Sequence, residues 1–285
     1  MYEIILVDNG GSTPSVKNYD GLPNVKALHF SKNYGFAGGN NQALLHAAGE
    51  FILLMNQDVV VHYNCLKELM DAAADNPNAG IISANMVMIS SNTDINQQVT
   101  TGKPVGLYKL TRFGYAAYTK QLLGSPMVPV EFVSGNGMFF RKYILKDFGS
   151  YLFDHRLKNY AEDLDLSIRL KKTKWKMYVR PGAIVFHHRD NAFSGKPAAK
   201  LKKLIHVSSN RLWVYYNNLL LHKFLITLPL LLLGIPLKVA RPDGYKHFHF
   251  IYFSIALLLV PIIFMHFCFK ASQTSKTFQD KPNTT

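Results

Sequence analysis

Short, continuously apolar runs alternate with amphipathic stretches along the first two thirds of the chain. The apolar runs predict β-strands at residues 2–7, 25–30, 51–55, 80–88, 130–141, 175–179 and 183–186. The amphipathic stretches predict helices at residues 42–48, 66–74 and 161–172. Strands that are apolar along their whole length are typical of a parallel sheet buried on both faces. We therefore expect an α/β domain with a mostly parallel sheet flanked by helices.

The last third of the chain carries two long apolar blocks. Residues 224–239 contain two prolines and are short for a membrane span, whereas residues 248–269 are long enough to cross a bilayer. If both blocks crossed, the basic residues between them would lie outside, against the positive-inside tendency. One interfacial segment with one span, or two interfacial helices, fits better than buried core helices. The expected division is a catalytic domain at 1–203 and a membrane-associated helical region at 204–285.

Composition and charge narrow the possible partners. The formal net charge is +14, and eleven of the lysines and arginines lie from Arg169 to Lys203, both included. Such a band suits nucleic acid, anionic headgroups or a diphosphate substrate. Because apolar segments follow directly and no nucleic-acid motif is present, we expect membrane lipids and no nucleic acid. Two distant cysteines and a start without a basic leader favour the cytoplasmic face of the cell membrane.

Polar clusters follow the first three predicted strands. Asp8 ends the first strand, the glycine-rich segment 33–41 follows the second, and residues 56–58 end the third. Ligands of open α/β sheets gather beyond the carboxyl ends of the strands. Each cluster alone is an ordinary turn sequence, but all three would share one sheet edge. The glycines lack the dinucleotide-binding spacing, yet such a turn can admit a diphosphate at a helix start.

Three ionisable residues suit the transfer of a group from a diphosphate. Asp58 could hold a divalent cation that neutralises the leaving group, with Asn56 orienting it or contacting a ribose. Asp163 could accept a proton from an attacking hydroxyl, although acids in a first helical turn are favoured by the helix dipole alone. His187, at a strand end, could be a second metal ligand. The neighbouring Asp165 fits a surface i,i+4 contact with Arg169.

Seven ordered segments add a family resemblance. They are IILVDNGGST at 4–13, NYGFAGGNN at 33–41, LLMNQD at 53–58, VSGNGM at 133–138 with Arg141, FD at 153–154, EDLDL at 162–166 with Arg169, and AIVFH at 183–187. In this order they resemble the family-two glycosyltransferases of the GT-A fold, especially the rhamnosyltransferase-like branch. The resemblance covers roughly residues 2 to 190 and is far more specific than any single motif.

The resemblance implies an inverting glycosyltransferase with a GT-A-like sheet and added C-terminal hydrophobic helices. The donor would be a nucleoside-diphosphate sugar, with rhamnose suggested by the branch, and the acceptor a hydroxyl of a polyprenyl-diphosphate-linked or polysaccharide substrate. Asp163 would be the catalytic base with Glu162 beside it, and Asp58 and His187 would hold Mg²⁺ or Mn²⁺. The implied donor-binding residues are Asp8, Asn9, Asn33, Gly35, Gly38, Asn41, Asn56 and Gly135.

Two departures from the family pattern leave an alternative open. Asn56 stands where the D-x-D metal motif has its first aspartate, and a neutral amide is a weaker ligand. The resemblance also begins at the family's second strand, so the usual opening strand and helix are not in this sequence. The chain would then be a fragment, start at a misassigned methionine, or fill the gap in another way. The alternative is a truncated, inactive protein that only binds a nucleotide or a membrane partner.

Overall fold

The chain forms two compact units. The computed structural model describes residues 2–11, 16, 19, 21–89, 108–118, 127–149, 151–188, 197–240 and 250–279. The first unit comprises Met1–Lys109 and Ala116–Asn191, and the second comprises Leu110–Tyr115 and Ala192–Thr285. A helix runs through the predicted domain boundary at Lys203, and that boundary stays a prediction.

The first unit alternates strands and helices. Its strands are β1 (Ile4–Asp8), β2 (Val25–His29), β3 (Phe51–Leu54), β4 (Val59–Val61), β5 (Ala79–Ile89), β8 (Val128–Pro129), β9 (Met138–Arg141) and β10 (Lys176–His188). Between β5 and β8, strands β6 (Tyr108–Leu110) and β7 (Ala116–Tyr118) pair as a separate two-stranded sheet. The α-helices are α1 (Gly35–Leu44), α2 (Cys65–Asp75) and α3 (Glu162–Leu170), with 3₁₀ turns at Lys142–Phe148 and His155–Leu157.

The main sheet is mixed, which corrects the expected mostly parallel arrangement. Its order is β3-β9-β5-β10-β4, with β8 also pairing to β10. Only the β5–β10 pair is parallel, and β9 runs antiparallel to both of its neighbours. A continuously apolar sequence indicates that a strand such as β5 is buried on both faces. It does not indicate whether the strand runs parallel or antiparallel to its neighbours. Direction is fixed by the connections, and not every connection here is a helical crossover.

Strands β1 and β2 form a separate parallel pair, in which Asp8 lies opposite His29. The Glu3 carboxylate accepts hydrogen bonds from the backbone N–H groups of Ala48 and Gly49, at 2.7 and 2.9 Å, just before β3. These contacts tie the start of β1 to the segment that enters the main sheet.

Two elements begin or end differently from the sequence prediction. Helix α1 starts at Gly35 rather than at residue 42, so the glycine-rich segment is itself helical. The two short strands predicted at 175–179 and 183–186 are one strand, β10, with a register shift between Arg180 and Ile184. Pro181 and Gly182 lie at this shift and are residues typical of a turn, which is why two strands were predicted. The pairing with β5 nevertheless continues on both sides of them, as at a β-bulge.

The second unit consists of the helices α4 (Pro197–Asn218), α5 (Leu221–Ala240) and α6 (Phe250–Gln279), which pack on one another. Aromatic rings pack between the helices. The ring centroid of Tyr216 in α4 lies 5.4 Å from that of Phe224 in α5 and 5.7 Å from that of Phe267 in α6. The buried Arg211 of α4 donates to the carbonyl oxygens of Phe113 and Leu231, each at 2.5 Å. Residues Leu221–Ala240 and Tyr252–Ser272 are long and apolar enough to cross a membrane.

Candidate active site

Asp58 and His187 meet because β4 pairs with the end of β10. Val59, the first residue of β4, lies opposite His187 in this antiparallel pairing. Asp58 directly precedes Val59, and its Oδ2 lies 3.0 Å from Nε2 of His187. The two residues are 129 positions apart in the chain, yet the ladder fixes their side chains against each other.

The Asp58–His187 pair has the chemistry of an incomplete metal site. Oδ1 of Asp58 and Nδ1 of His187 are buried and have no hydrogen-bond partner among the described residues. A carboxylate oxygen and an imidazole nitrogen are ordinary ligands of divalent cations. No group of three or more His, Cys, Asp or Glu side chains suited to a metal occurs in the described part of the chain. These two residues therefore fit a cation whose remaining ligands come from substrate phosphates and water.

The start of helix α3 holds two carboxyl groups, of which Glu162 is buried and Asp163 is half-buried. Burial, together with the neighbouring charge of Asp163, raises the pKa of Glu162 to about 8. Burial also raises the pKa of Asp163 to about 6, while N–H bonds from Leu164 and Gly135 limit the rise. Oε2 of Glu162 has no partner among the described residues. At neutral pH, Asp163 is thus ionised and more basic than an ordinary aspartate, while Glu162 retains its proton.

The loop before β9 links the Asp58–His187 pair to the two carboxyl groups at the start of α3. Gly135 donates its N–H to the Asp163 carboxylate, and Asn136 accepts a hydrogen bond from the backbone N–H of Asn56 at 3.2 Å. A side chain at Gly135 would meet the Phe36 ring at 3.2 Å. The adjacent residues Gly135 and Asn136 therefore contact Asp163 and the 56–58 segment, respectively. The Phe36 ring restricts the space at Gly135.

Asp8 closes the first strand in a polar setting. The carboxylate is buried, its Oδ1 accepts the Gly11 N–H at 3.0 Å, and its Oδ2 lies 3.2 Å from Nδ1 of His29. His29 occupies the matching position at the end of β2. The orientation of Asp8 is therefore set from both sides before any ligand binds.

The first turn of α1 is held by protein groups. The N–H groups of Gly35, Phe36 and Ala37 donate to Asn33 Oδ1, Asn159 Oδ1 and Lys158 O, each at 2.8 Å. Because these donors are occupied, they are not available to a diphosphate in this arrangement. Gly35 has a φ of +72°, and a Cβ there would lie 2.8 Å from the Lys158 oxygen. The glycine thus permits close packing against the loop that leads to α3.

Asparagine side chains fix the surrounding backbone. Asn9 donates to the Gly35 carbonyl at 2.8 Å and accepts from the Tyr34 N–H at 3.1 Å. Asn41 accepts from the N–H groups of Leu152 and Phe153, at 3.2 and 3.0 Å, and donates to the Phe153 carbonyl at 2.6 Å. These side-chain amides hold the backbone around the site through hydrogen bonds. Direct contact of Asn9, Asn33 and Asn41 with the sugar donor stays a prediction.

The predicted residues fall into two connected groups. One contains Asn56, Asp58 and His187 with Glu162, Asp163 and Gly135, joined through Asn136. The other contains Asp8, Asn9, Asn33, Gly35, Gly38 and Asn41 around β1 and α1. The ring of Phe36 in α1 lies 5.5 Å from that of Phe153 and borders Gly135, which connects the second group to the first. The Asp165–Arg169 pair, expected on the surface, is bonded at 2.7 Å, with Asp165 buried and Arg169 half-buried.

Sequence reasoning missed His29, Asn136 and Asn159. His29 could have been found from its position at the end of a strand adjacent to that of Asp8. Asn136 lies inside a segment that was recognised, but only Gly135 was singled out there. Asn159 carries no local signal, because its partner Phe36 is 123 residues away.

Comparison with known proteins identifies the family. The model of the family described as "Glycosyl transferase family 2" matches residues 1–149, just over half of the chain. This chain belongs to glycosyltransferase family 2. It is therefore an enzyme of sugar transfer, as the ordered motifs predicted.

Relatives of this family 2 glycosyltransferase agree with that assignment. Two curated relatives, from Mycobacterium tuberculosis strains CDC 1551 / Oshkosh and ATCC 25618 / H37Rv, are named N-acetylglucosaminyl-diphospho-decaprenol L-rhamnosyltransferase. Each is 27% identical over 220 residues, covering 70% of both chains.

Solved structures confirm the fold of this family 2 glycosyltransferase. GalNAc-T7 with UDP, GalNAc and Mn²⁺ matches 85% of this chain with a TM-score of 0.60 and 13% identity. S. aureus TarS in complex with UDP-GlcNAc also matches 85%, with a TM-score of 0.50 and 16% identity. The chain spans 45% and 66% of the lengths of those two structures. The α/β GT-A class is confirmed, with the sheet mixed rather than mostly parallel.

Proposed function

We propose that this enzyme transfers a sugar, with inversion, from a nucleoside-diphosphate sugar to a hydroxyl of a polyprenyl-diphosphate-linked acceptor. The observation that carries the proposal is the pair of carboxylate clusters joined by Gly135 and Asn136. One cluster supplies a base, and the other supplies ligands for the charge of a leaving diphosphate. The names of the mycobacterial relatives support rhamnose as the sugar and a lipid diphosphate as the acceptor class.

Asp163 would act as the base in a single displacement. Its carboxylate takes the proton of the acceptor hydroxyl while that oxygen bonds to the anomeric carbon. The bond between this carbon and the diphosphate oxygen breaks on the opposite face, and the electron pair leaves with the diphosphate. The Gly135 N–H would stabilise the charged form of Asp163, and the raised pKa of Asp163 strengthens it as a proton acceptor.

Asp58 and His187 would hold a divalent cation, Mg²⁺ or Mn²⁺. The unpartnered Oδ1 of Asp58 supports this role. When bound, such an ion neutralises charge on the leaving diphosphate. Asp8 with His29, and Asn56 beside Asp58, would contact the nucleotide, while the restricted space at Gly135 would limit the size of the donor sugar.

The helical unit would keep the enzyme at the cytoplasmic face of the cell membrane. Helices α5 and α6 expose many large apolar side chains, among them Ile226, Leu258 and Met265. Between residues 191 and 285, basic residues greatly outnumber the two acidic ones, Asp243 and Asp280. Apolar and cationic surfaces together suit an anionic bilayer, where a polyprenyl-linked acceptor resides.

Substitution of Asp163 tests the proposal. Asp163→Asn keeps the shape of the side chain and removes the base, so transfer should fall at least about a hundredfold. Calorimetry with a panel of nucleoside diphosphates should show donor-side binding within about twofold of the parent. Glu131→Gln, an exposed acid paired with Lys171 at 3.8 Å, is the matched control and should leave transfer unchanged.

The outcomes separate the two candidate functions. Unchanged turnover in Asp163→Asn would remove Asp163 as the base. Nucleotide binding by the parent chain without transfer to any lipid-linked acceptor would favour the inactive alternative.

A further inference from the structure

The side-chain amide of Asn136 is buried in the loop that leads into β9. The residue is 5% exposed, and its Oδ1 accepts the backbone N–H of Asn56 at 3.2 Å. Its Nδ2 has no hydrogen-bond partner among the residues that the structure describes. A buried amide donor without a partner destabilises the free protein, and a bound ligand that supplies an acceptor removes that cost.

The orientation of the Asn136 amide is fixed by its backbone partner. The N–H of Asn56 needs an acceptor, and only the oxygen of the amide can accept it. An amide turned the other way would place two donors against each other. The Nδ2 group is therefore the end of the side chain that stays free for a ligand.

The loop around Asn136 is held by backbone hydrogen bonds. The Asn136 N–H donates to Ser134 Oγ at 3.4 Å. The Gly137 N–H donates to the Leu54 carbonyl at 3.0 Å, and the Gly137 carbonyl accepts the Ala84 N–H at 2.7 Å. Leu54 is the last residue of β3. The amide is therefore positioned at the end of β3 before any ligand binds.

Asn136 connects the two groups that a sugar transfer would use. Its neighbour Gly135 donates an N–H to the carboxylate of Asp163, the proposed base. Its partner Asn56 lies two residues before Asp58, the proposed metal ligand. In a single displacement, the base and the leaving group act on opposite faces of the sugar. The transferred sugar would therefore lie beside Asn136.

We infer that Asn136 Nδ2 donates a hydrogen bond to a hydroxyl of the transferred sugar and thereby selects sugars that carry this hydroxyl. The inference rests on the proposed function, because it takes the sugar to lie between Asp163 and the diphosphate. A neutral amide suits a neutral hydroxyl, whereas the charge of the diphosphate would be met by the cation at Asp58 and His187. A sugar without this hydroxyl would leave the buried amide unpaired, and such sites reject the analogue that lacks the bonding group.

Binding of monodeoxy donors tests the inference. Calorimetry on the full chain compares three kinds of ligand: a nucleoside-diphosphate rhamnose, its analogues that each lack one ring hydroxyl, and the nucleoside diphosphate alone. The base is the one that binds most tightly in the panel of nucleoside diphosphates. The parent should bind one analogue at least about tenfold more weakly than the complete donor.

Two variants of Asn136 separate the donor group from the support of the loop. Asn136→Ala removes the whole amide, and Asn136→Asp removes the donor while it keeps an acceptor for the Asn56 N–H. Both should bind that analogue and the complete donor within about twofold of each other, because only the selective contact is lost. Asn136→Ala should bind the nucleoside diphosphate alone within about twofold of the parent.

Asn76→Asp is the matched control. Asn76 Nδ2 donates to the Ala72 carbonyl at 2.9 Å, at the end of α2, so the same donor group is lost away from the site. This variant should keep the preference of the parent for the complete donor. Thermal melting should show that each variant is folded.

Three results would overturn the inference. The first is a parent that binds every monodeoxy analogue as tightly as the complete donor, which needs no variant to detect. The second is a folded Asn136→Ala chain that keeps the preference. The third is equal weakening of donor and nucleoside diphosphate in Asn136→Ala, which would place the contact on the diphosphate.

A transfer assay distinguishes these results from a failure of the proposed function. If the parent transfers sugar from the complete donor, each of the three results removes only the role of Asn136. A parent that shows the preference but transfers no sugar would contradict the proposed transfer and not the hydroxyl contact.

Discussion

At the scale of single residues, hydrogen bonds and a neighbouring charge give two adjacent carboxyl groups different protonation states. Glu162 and Asp163 open the same helix, but only Asp163 receives the N–H of Gly135. Glu162 keeps an unpartnered buried oxygen. The donated hydrogen bonds favour the charged form of Asp163, whereas burial and the neighbouring charge disfavour that of Glu162.

The ionisation of Glu162 should cost stability. A raised folded-state pKa means that its stabilising contribution is complete below the ordinary glutamate value of about 4.3 and is lost as pH rises through about 8. Glu162→Gln removes this loss. Chemical denaturation should therefore find equal stabilities near pH 4, and above pH 8 a variant more stable by about 1–3 kcal/mol. A difference that shrinks as pH rises would contradict the burial of an ionisable Glu162.

Asp58 should control the metal requirement. Asp58→Asn removes the only carboxylate of the pair, so the divalent cation concentration giving half-maximal transfer should rise at least about tenfold. Titration of Mn²⁺ into a transfer assay measures this. Asp71→Asn is the control, since Asp71 is exposed and pairs with Lys67 at 2.5 Å. An unchanged cation requirement in Asp58→Asn would exclude Asp58 as a ligand.

At the scale of elements, the site depends on contacts between segments far apart in sequence. The segment before α3 contains three non-glycine residues with positive φ, Lys158, Tyr160 and Ala161. The Lys158 carbonyl and the Asn159 side chain accept the N–H groups of Ala37 and Phe36 in α1. The strained backbone is thus held by its contacts with α1, and it places Asp163 relative to the glycine-rich helix.

Asn41 should be a main support of this arrangement. Its side chain makes three hydrogen bonds to the backbone of Leu152 and Phe153. Asn41→Ala leaves those backbone groups without partners, and the free energy of unfolding should fall by about 2 kcal/mol or more. Asn40→Ala breaks one bond within its own helix, to Phe36 at 2.8 Å, and should cost below about 1 kcal/mol. Equal costs in denaturant titrations would remove the bridging role.

At the scale of the whole molecule, the candidate site residues and the apolar helices lie in different units. The first unit carries the carboxylates and the strand ends, and the second carries the apolar helices and most of the net positive charge. This division suits an enzyme whose donor is soluble and whose acceptor lies in a bilayer.

Membrane retention should survive high salt. At about 1 M salt the Debye length falls to about 3 Å, so purely electrostatic attachment is lost. Apolar burial of α5 and α6 is not weakened, and the chain should stay in the membrane pellet until detergent is added. Sedimentation after a salt wash measures this, with a basic peripheral protein as the release control. Release of the chain into the supernatant would contradict apolar insertion.

Sequence alone was sufficient for the features that depend on local pattern. The apolar runs identified β1, β2, β3 and β5, and the motifs that follow them identified the family. The two apolar C-terminal helices were also predictable, because helix length and hydrophobicity are local properties. Such patterns predict strands and helices but carry little information about strand direction, which is why the sheet was expected to be mostly parallel.

Only the tertiary structure decided which side chains meet. The pairing of β4 with β10 brings Asp58 to His187, and the loop before β9 brings Gly135 to Asp163. The burial of Glu162 and the bond from Asn41 to residues 152–153 have no local signal. Pairing register and burial depend on residues distant in sequence, such as Asp58 and His187 at 129 positions apart. These contacts set both the distances within the site and the pKa values of its carboxyl groups.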